Sequence, residues 1–192
     1  MARPRAYDPD DVIDKAMVAF WRNGYEATSL VDVEAATGLN RSSLYTAFGD
    51  MHALYLTALE RFRDRDTASV LNALRGAPTV KEGLRRVFQL SIEALVNDPE
   101  RRGCMIVNAT AECVPSDPRV TAFVQAVDKE TERAFAEAIR KAQAQGELSQ
   151  AHDPYKLSAY LYSALQGLRL RGKAEPDRAT LEGIVEVTLS VL

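Results

Sequence analysis

Between Thr28 and Tyr55 the chain reads Thr-Ser-Leu-Val-Asp-Val-Glu-Ala-Ala-Thr-Gly-Leu-Asn-Arg-Ser-Ser-Leu-Tyr-Thr-Ala-Phe-Gly-Asp-Met-His-Ala-Leu-Tyr, and its punctuation leaves the backbone little freedom. Ser29 with Asp32 three residues on forms a capping box, and Thr28 offers a second hydroxyl at the same helix end. Leu30, Val33 and Ala36 make one apolar side of a helix too short to stand alone. Gly38 ends that helix, because the residue just past a helix often needs positive φ. Asn40 is a good N-cap for the next one. The spacing therefore predicts a short helix, a tight turn, a second short helix and the start of a third.

In the second helix Leu44 and Phe48 lie four apart and turn inward. Arg41, Ser42, Ser43, Tyr45 and Thr46 are left facing outward, with no carboxylate between Asn40 and Gly49. One guanidinium, several small hydroxyls and a phenol suit hydrogen bonding to phosphates and base edges. A helix-turn-helix places its second helix in the DNA major groove by its N-terminal residues, here Asn40 to Ser43.

The segment resembles the DNA-binding domain of the tetracycline-repressor (TetR) family of bacterial transcription regulators. The matching residues are the Ala-Ala-x-Gly turn at Ala35 to Gly38, Leu44-Tyr45 with Phe48, and Ala53-Leu54 beyond. Ala16 to Thr28, with Phe20, Gly24 and Tyr25, looks like the family's first helix and its exit. The resemblance implies operator contacts from Thr28, Ser29, Arg41, Ser42, Ser43, Tyr45 and Thr46. One position departs from the pattern: Met51 stands where the family usually carries a phosphate-binding lysine. His52 beside it takes that role only when protonated, and a neutral, solvent-exposed ring is expected.

Helix signals recur to the end of the chain, and no run of alternating β-branched residues suggests a sheet. Asp8-Pro9, Asp50, Thr79 with Glu82, Asp117-Pro118, Asp153-Pro154 and Asp177 open helices. Gly76, Asn97-Asp98-Pro99, Gly146 and Gly172 close them, and a short helix is expected over residues 103–114. The reading is all-α with about nine helices: an N-terminal three-helix domain over 1–50 and a larger helical domain over 51–192 for ligand binding and dimerisation. Residues 157 to 170 carry Leu, Tyr and Ala on more than one face, the mark of an interface. The resemblance makes the last two helices a homodimer contact, and a C₂ dimer presents two reading helices to a palindromic operator.

Residues 1–50 carry a net charge of −3, equal to that of the whole chain. A non-specific nucleic-acid binder is normally basic. Here the acids gather at helix starts, while Arg3, Arg5 and Arg41 fall on the N-terminal arm and the reading helix. Local distribution outweighs the sum.

The resemblance also implies a small-molecule effector held in a mostly apolar pocket of the larger domain. Phe88, Ile92, Phe123, Val127, Tyr160, Tyr162 and Gln166 are candidate lining residues, each with ordinary core as its competing reading. Asn108 and Glu112, four apart, are the polar candidates. Cys104 follows Arg101-Arg102-Gly103 at a helix start, where helix end and cations favour the thiolate. Gly103 to Asn108 is similar to a stretch of family members that sense electrophiles or oxidants, which makes Cys104 a redox candidate. The competing reading is a small buried hydrophobe. A bridge to Cys113 is disfavoured, since nine residues rise about 13 Å along a helix.

Catalysis finds no constellation. The only histidines, His52 and His152, lie in no ligand-spaced cluster, and no phosphate-binding loop or nucleophile elbow is present. No metal or cofactor is expected. With two cysteines, no apolar N-terminal segment and no membrane-length run, the chain is expected in the cytoplasm. The reading is thus a one-component regulator, a repressor released by an effector. A helical ligand-binding module that has lost DNA binding, and an unrecognised helical enzyme, remain as alternatives.

Overall fold

The computed structural model describes residues 7–192. The basic arm with Arg3 and Arg5 lies outside them. The described residues form nine helices: α1 (Pro9–Asn23), α2 (Leu30–Thr37), α3 (Arg41–Phe48), α4 (Met51–Arg75), α5 (Val80–Val96), α6 (Met105–Cys113), α7 (Pro118–Ala144), α8 (Pro154–Ala174) and α9 (Arg178–Leu189). None is long and apolar enough to cross a membrane.

Eight of the nine begin on Asp, Ser, Asn or Thr whose side chain accepts a backbone N–H of the first turn. Each such cap contributes about 1 kcal/mol. The exception is α6, whose N-cap is Cys104 and makes no side-chain cap bond. This helix starts at Met105, two residues later than the sequence suggests, because Arg101 and Gly103 both take positive φ in the approach to it.

Gly172 corrects a second boundary. It does not end α8, which runs on to Ala174. It is buried where an added Cβ would stand 2.6 Å from Leu95 Cδ1, so the glycine serves close helix approach rather than termination.

Two hydrophobic cores form. One gathers Val12, Met17, Phe20, Val33, Leu44, Leu54, Tyr55 and Leu59 with Met105, Ile106, Ala109, Val120 and Val124. The first three helices thus share a core with α6 and the start of α7, across residue 50. The other joins the end of α4 to α5, the second half of α7, α8 and α9 through Val70, Leu84, Phe88, Ile92, Phe135, Leu161, Leu165 and Val185. α4 contributes to both.

Where the cores meet, Arg169 of α8 is buried at 7% exposure. Its Nη2 donates to both Asp66 oxygens at 2.8 and 3.0 Å, Nε donates to Ser91 Oγ at 3.3 Å, and Nη1 lies 3.5 Å from Cys104 Sγ. One guanidinium therefore ties α4, α5, α8 and the start of α6. Asp66→Ala leaves this buried charge unpaired and is expected to cost about 3 kcal/mol of stability. Urea denaturation measures it; a change below about 1 kcal/mol would mean that solvent replaces the carboxylate.

Candidate DNA-binding face and effector cavity

The helix-turn-helix is built from side chain to backbone bonds. The capping box is complete: the Ser29 N–H and hydroxyl donate to Asp32 at 2.8 and 2.6 Å, and the Asp32 N–H donates to Ser29 Oγ at 3.2 Å. Gly38 takes φ 73°, and Asn40 caps α3 through the Ser43 N–H. Glu34 adds a contact that the sequence reading missed. Its carboxylate accepts the Arg41 N–H, fixing the angle between α2 and α3.

On α3, Leu44 is buried and Phe48 half-buried, while Arg41, Ser42, Tyr45 and Thr46 line one open surface depression. The Arg41 guanidinium lies 5.2 Å from the centre of the Tyr45 ring, an arrangement that presents cation and phenol together. Ser43 is half-buried beside them and Ser29 is exposed at the start of α2. Val31 stands 69% exposed on the same helix, an apolar position that the capping analysis did not single out.

Two of the expected DNA contacts are turned to other partners. Thr28 is buried, and its hydroxyl donates to the Gly24 carbonyl. His52 is not a free, exposed ring: Nε2 bonds Asp117 and Nδ1 lies 3.3 Å from the Arg119 guanidinium. Asp117 also accepts the Arg119 and Val120 N–H groups as the cap of α7, and the Val120 bond is the main reason its carboxyl is held below the usual range. His52 thereby joins the start of α4 to the start of α7. Met51 is half-buried against the first core.

At the meeting of the cores lies a cavity of about 310 Å³. Met17 and Trp21 of α1, Phe62 of α4 and Val87, Leu90 and Leu95 of α5 give it apolar walls; Asp66, Ser91, Cys104 and Arg169 form a polar end. The residues proposed from the sequence for effector contact lie elsewhere. Phe88, Ile92 and Val127 are core, and Phe123 is half-buried beneath Arg63. Tyr160 is on the surface. The Tyr162 hydroxyl donates to Asp128 at 2.8 Å and accepts from Gln166 Nε2 at 3.1 Å, joining α7 to α8.

Asn108 and Glu112 are structural joints. Asn108 Nδ2 donates to the Arg102 carbonyl, and its Oδ1 accepts from Lys173, both at 2.8 Å. Glu112 accepts the Tyr25 and Glu26 N–H groups at 3.0 and 2.8 Å. Apolar periodicity says only that a side chain faces inward. It does not separate core from cavity wall.

Cys104 does reach the cavity, in surroundings opposite to those expected. Its thiol is buried, and burial pushes it above the ordinary value; the Arg169 guanidinium pulls the other way without prevailing. Arg102, expected to activate it, is instead paired with Asp98 and stacked 4.3 Å from the centre of the Trp21 ring. Cys113 is buried as well, and burial raises it to about 11. Both cysteines are free. Among the described residues no cluster with metal-binding composition occurs.

Similarity to known proteins extends over both the helix-turn-helix and the helices that follow it. Residues 12–58 match the family "Bacterial regulatory proteins, tetR family", and residues 81–187 match "Tetracyclin repressor-like, C-terminal domain". The chain is 34% identical, over the whole of both chains, to the uncharacterized HTH-type transcriptional regulator YezE of Bacillus subtilis. It is 27% identical to the HTH-type transcriptional repressor ComR of Escherichia coli, covering 99% of this chain and 90% of that one. A solved structure of a cysteine mutant of the TetR family regulator CifR, complexed with 26-bp operator DNA, superposes with a TM-score of 0.90 at 31% identity, covering 98% of each chain. The chain belongs to the tetracycline-repressor family of bacterial transcriptional regulators.

Proposed function

We propose that this protein is a one-component transcriptional repressor that binds operator DNA as a homodimer and releases it when a small molecule occupies the cavity between α1, α4, α5 and α8. The observation that carries the DNA reading is the face of α3. Arg41, Ser42, Tyr45 and Thr46 lie together on an exposed helix whose start is capped by Asn40 and by Glu34. Arg41 suits bidentate contact with a guanine edge, and the hydroxyls suit phosphate or base contacts. Ser29 and Ser43 belong at the margin of this face, whereas Thr28 and His52 support the head from within.

Dimerisation rests on α8 and α9. Tyr155, Leu170 and Val187 stand 64%, 57% and 71% exposed there, apolar surface that a second copy would cover. The apolar cavity walls with a charge-balanced polar end favour an effector that is largely apolar and carries few polar atoms. Arg41→Ala is expected to weaken operator binding by about 1–3 kcal/mol at fixed salt. Fluorescence anisotropy with labelled operator checks this, and equal affinities would remove Arg41 from the reading face.

A second reading, relief of repression through thiol modification, is favoured by one observation: Cys104 is part of the cavity wall, beside Arg169. A thiolate adding to an alkene such as N-ethylmaleimide forms a sulfur–carbon bond, and solvent supplies the proton to the neighbouring carbon. Because burial raises the thiol, its reactive fraction at neutral pH is below that of a free cysteine and grows as pH rises. N-ethylmaleimide should therefore release operator faster at about pH 9 than at about pH 7, and Cys104→Ser should abolish the release. Equal release by the variant and the wild type would make Cys104 structural.

A further inference from the structure

Cys104, Asn108 and Glu112 stand four residues apart along one side of α6 and meet three different parts of the molecule. Cys104, at the start, belongs to the cavity wall. Asn108, midway, holds Lys173 of α8. Glu112, near the end, sets its two carboxylate oxygens on the backbone N–H groups of Tyr25 and Glu26, just past α1. The reading head receives this carboxylate in a fitted place. Gly24 there takes φ +84°, and a Cβ on it would fall 2.8 Å from Glu112 Oε2.

The C-terminal end of α1 meets the start of α6 as well. The Trp21 indole N–H donates to the Gly103 carbonyl at 2.9 Å, and Trp21 also lines the cavity. α1 is therefore fastened to α6 at two points, one at the cavity and one at the entrance to the helix-turn-helix. α6 has no side-chain cap of its own, and its position is set by these tertiary bonds together with the core packing of Met105, Ile106 and Ala109. One helix thus links the cavity-side residues Gly103 and Cys104 to the carboxylate held by the Tyr25 and Glu26 amides.

We propose that Glu112 is the positioning residue through which cavity occupancy alters the orientation of the reading head, and hence operator affinity. This rests on the reading of the cavity as the effector site. Glutamine at this position offers one acceptor oxygen and one N–H₂ donor to two N–H donors, so one of the two bonds is lost at nearly constant volume.

The test measures a coupling ratio. The operator is a duplex selected by the wild-type protein from a random library, and the cavity probe is 1-naphthol, a neutral apolar molecule with one hydroxyl. Quenching of Trp21, the single tryptophan, reads probe binding. The operator dissociation constant is then measured with and without saturating probe. In the wild type the ratio is expected to be at least about fivefold, and in Glu112→Gln close to one, with probe binding retained. Glu112→Asp, which shortens the side chain by one methylene and withdraws the carboxylate from the Tyr25 and Glu26 amides, should also bring the ratio close to one and keeps the test available if the first variant folds poorly.

A purely structural Glu112 would lower the thermal midpoint and leave the ratio at its wild-type value, which would overturn the proposal. Failure of 1-naphthol to bind the wild type would overturn the cavity reading and the coupling with it. Binding with a wild-type ratio of one would overturn the coupling alone.

Discussion

The structure depends on α4 serving two cores. At 25 residues this helix is about 37 Å long, enough to run from the reading head into the body without a break. Its first half buries Leu54, Tyr55, Ala58 and Leu59 among α1, α3 and α6, and its last turns bury Val70 and Ala73 against α5. Between them Asp66 holds the buried Arg169. Head and body thus share a rigid member, and the boundary between them is a polar seam rather than a flexible linker.

The seam also explains why the cavity lies where it does. Two cores that meet along a helix do not interdigitate as closely as the interior of either, and the space left is bounded by one wall from each. Met17 and Cys104 belong to the first core, and Val70, Val87 and Leu95 to the second. A molecule filling this space touches both units at once. The α6 stripe gives that contact a route to the DNA-reading end, because the last polar residue of the stripe grips backbone amides there rather than a mobile side chain.

Sequence reading succeeded where partners are close along the chain and failed where they are distant. The Ser29–Asp32 box, the Asn40 cap and the Asp50 cap join residues three apart, so their geometry follows from the helix itself. His52 and Asp117 are 65 residues apart, Glu112 and Tyr25 are 87, and Arg169 and Asp66 are 103. Nothing in a window around His52 distinguishes a ring bound to a helix cap from one facing solvent. Cys104 is the sharpest case. Neighbouring Arg101 and Arg102 suggest an activated thiolate, yet Arg102 turns to Asp98 and Trp21 while burial raises the thiol.

By itself, then, the sequence determined the helices, their order, the glycine turn at Gly38 and the polar outer side of α3. All of these are set by capping bonds, backbone conformation and apolar spacing within a few residues. Only the tertiary structure decided that Thr28 bonds the Gly24 carbonyl and His52 bonds Asp117, that the Glu112 carboxylate accepts the Tyr25 and Glu26 amides, and that the cavity is lined by Trp21, Leu90 and Arg169. The physical reason is that periodicity specifies which side of a helix leaves water. What that side meets depends on how the helices pack against one another, and that is set by residues far apart along the chain.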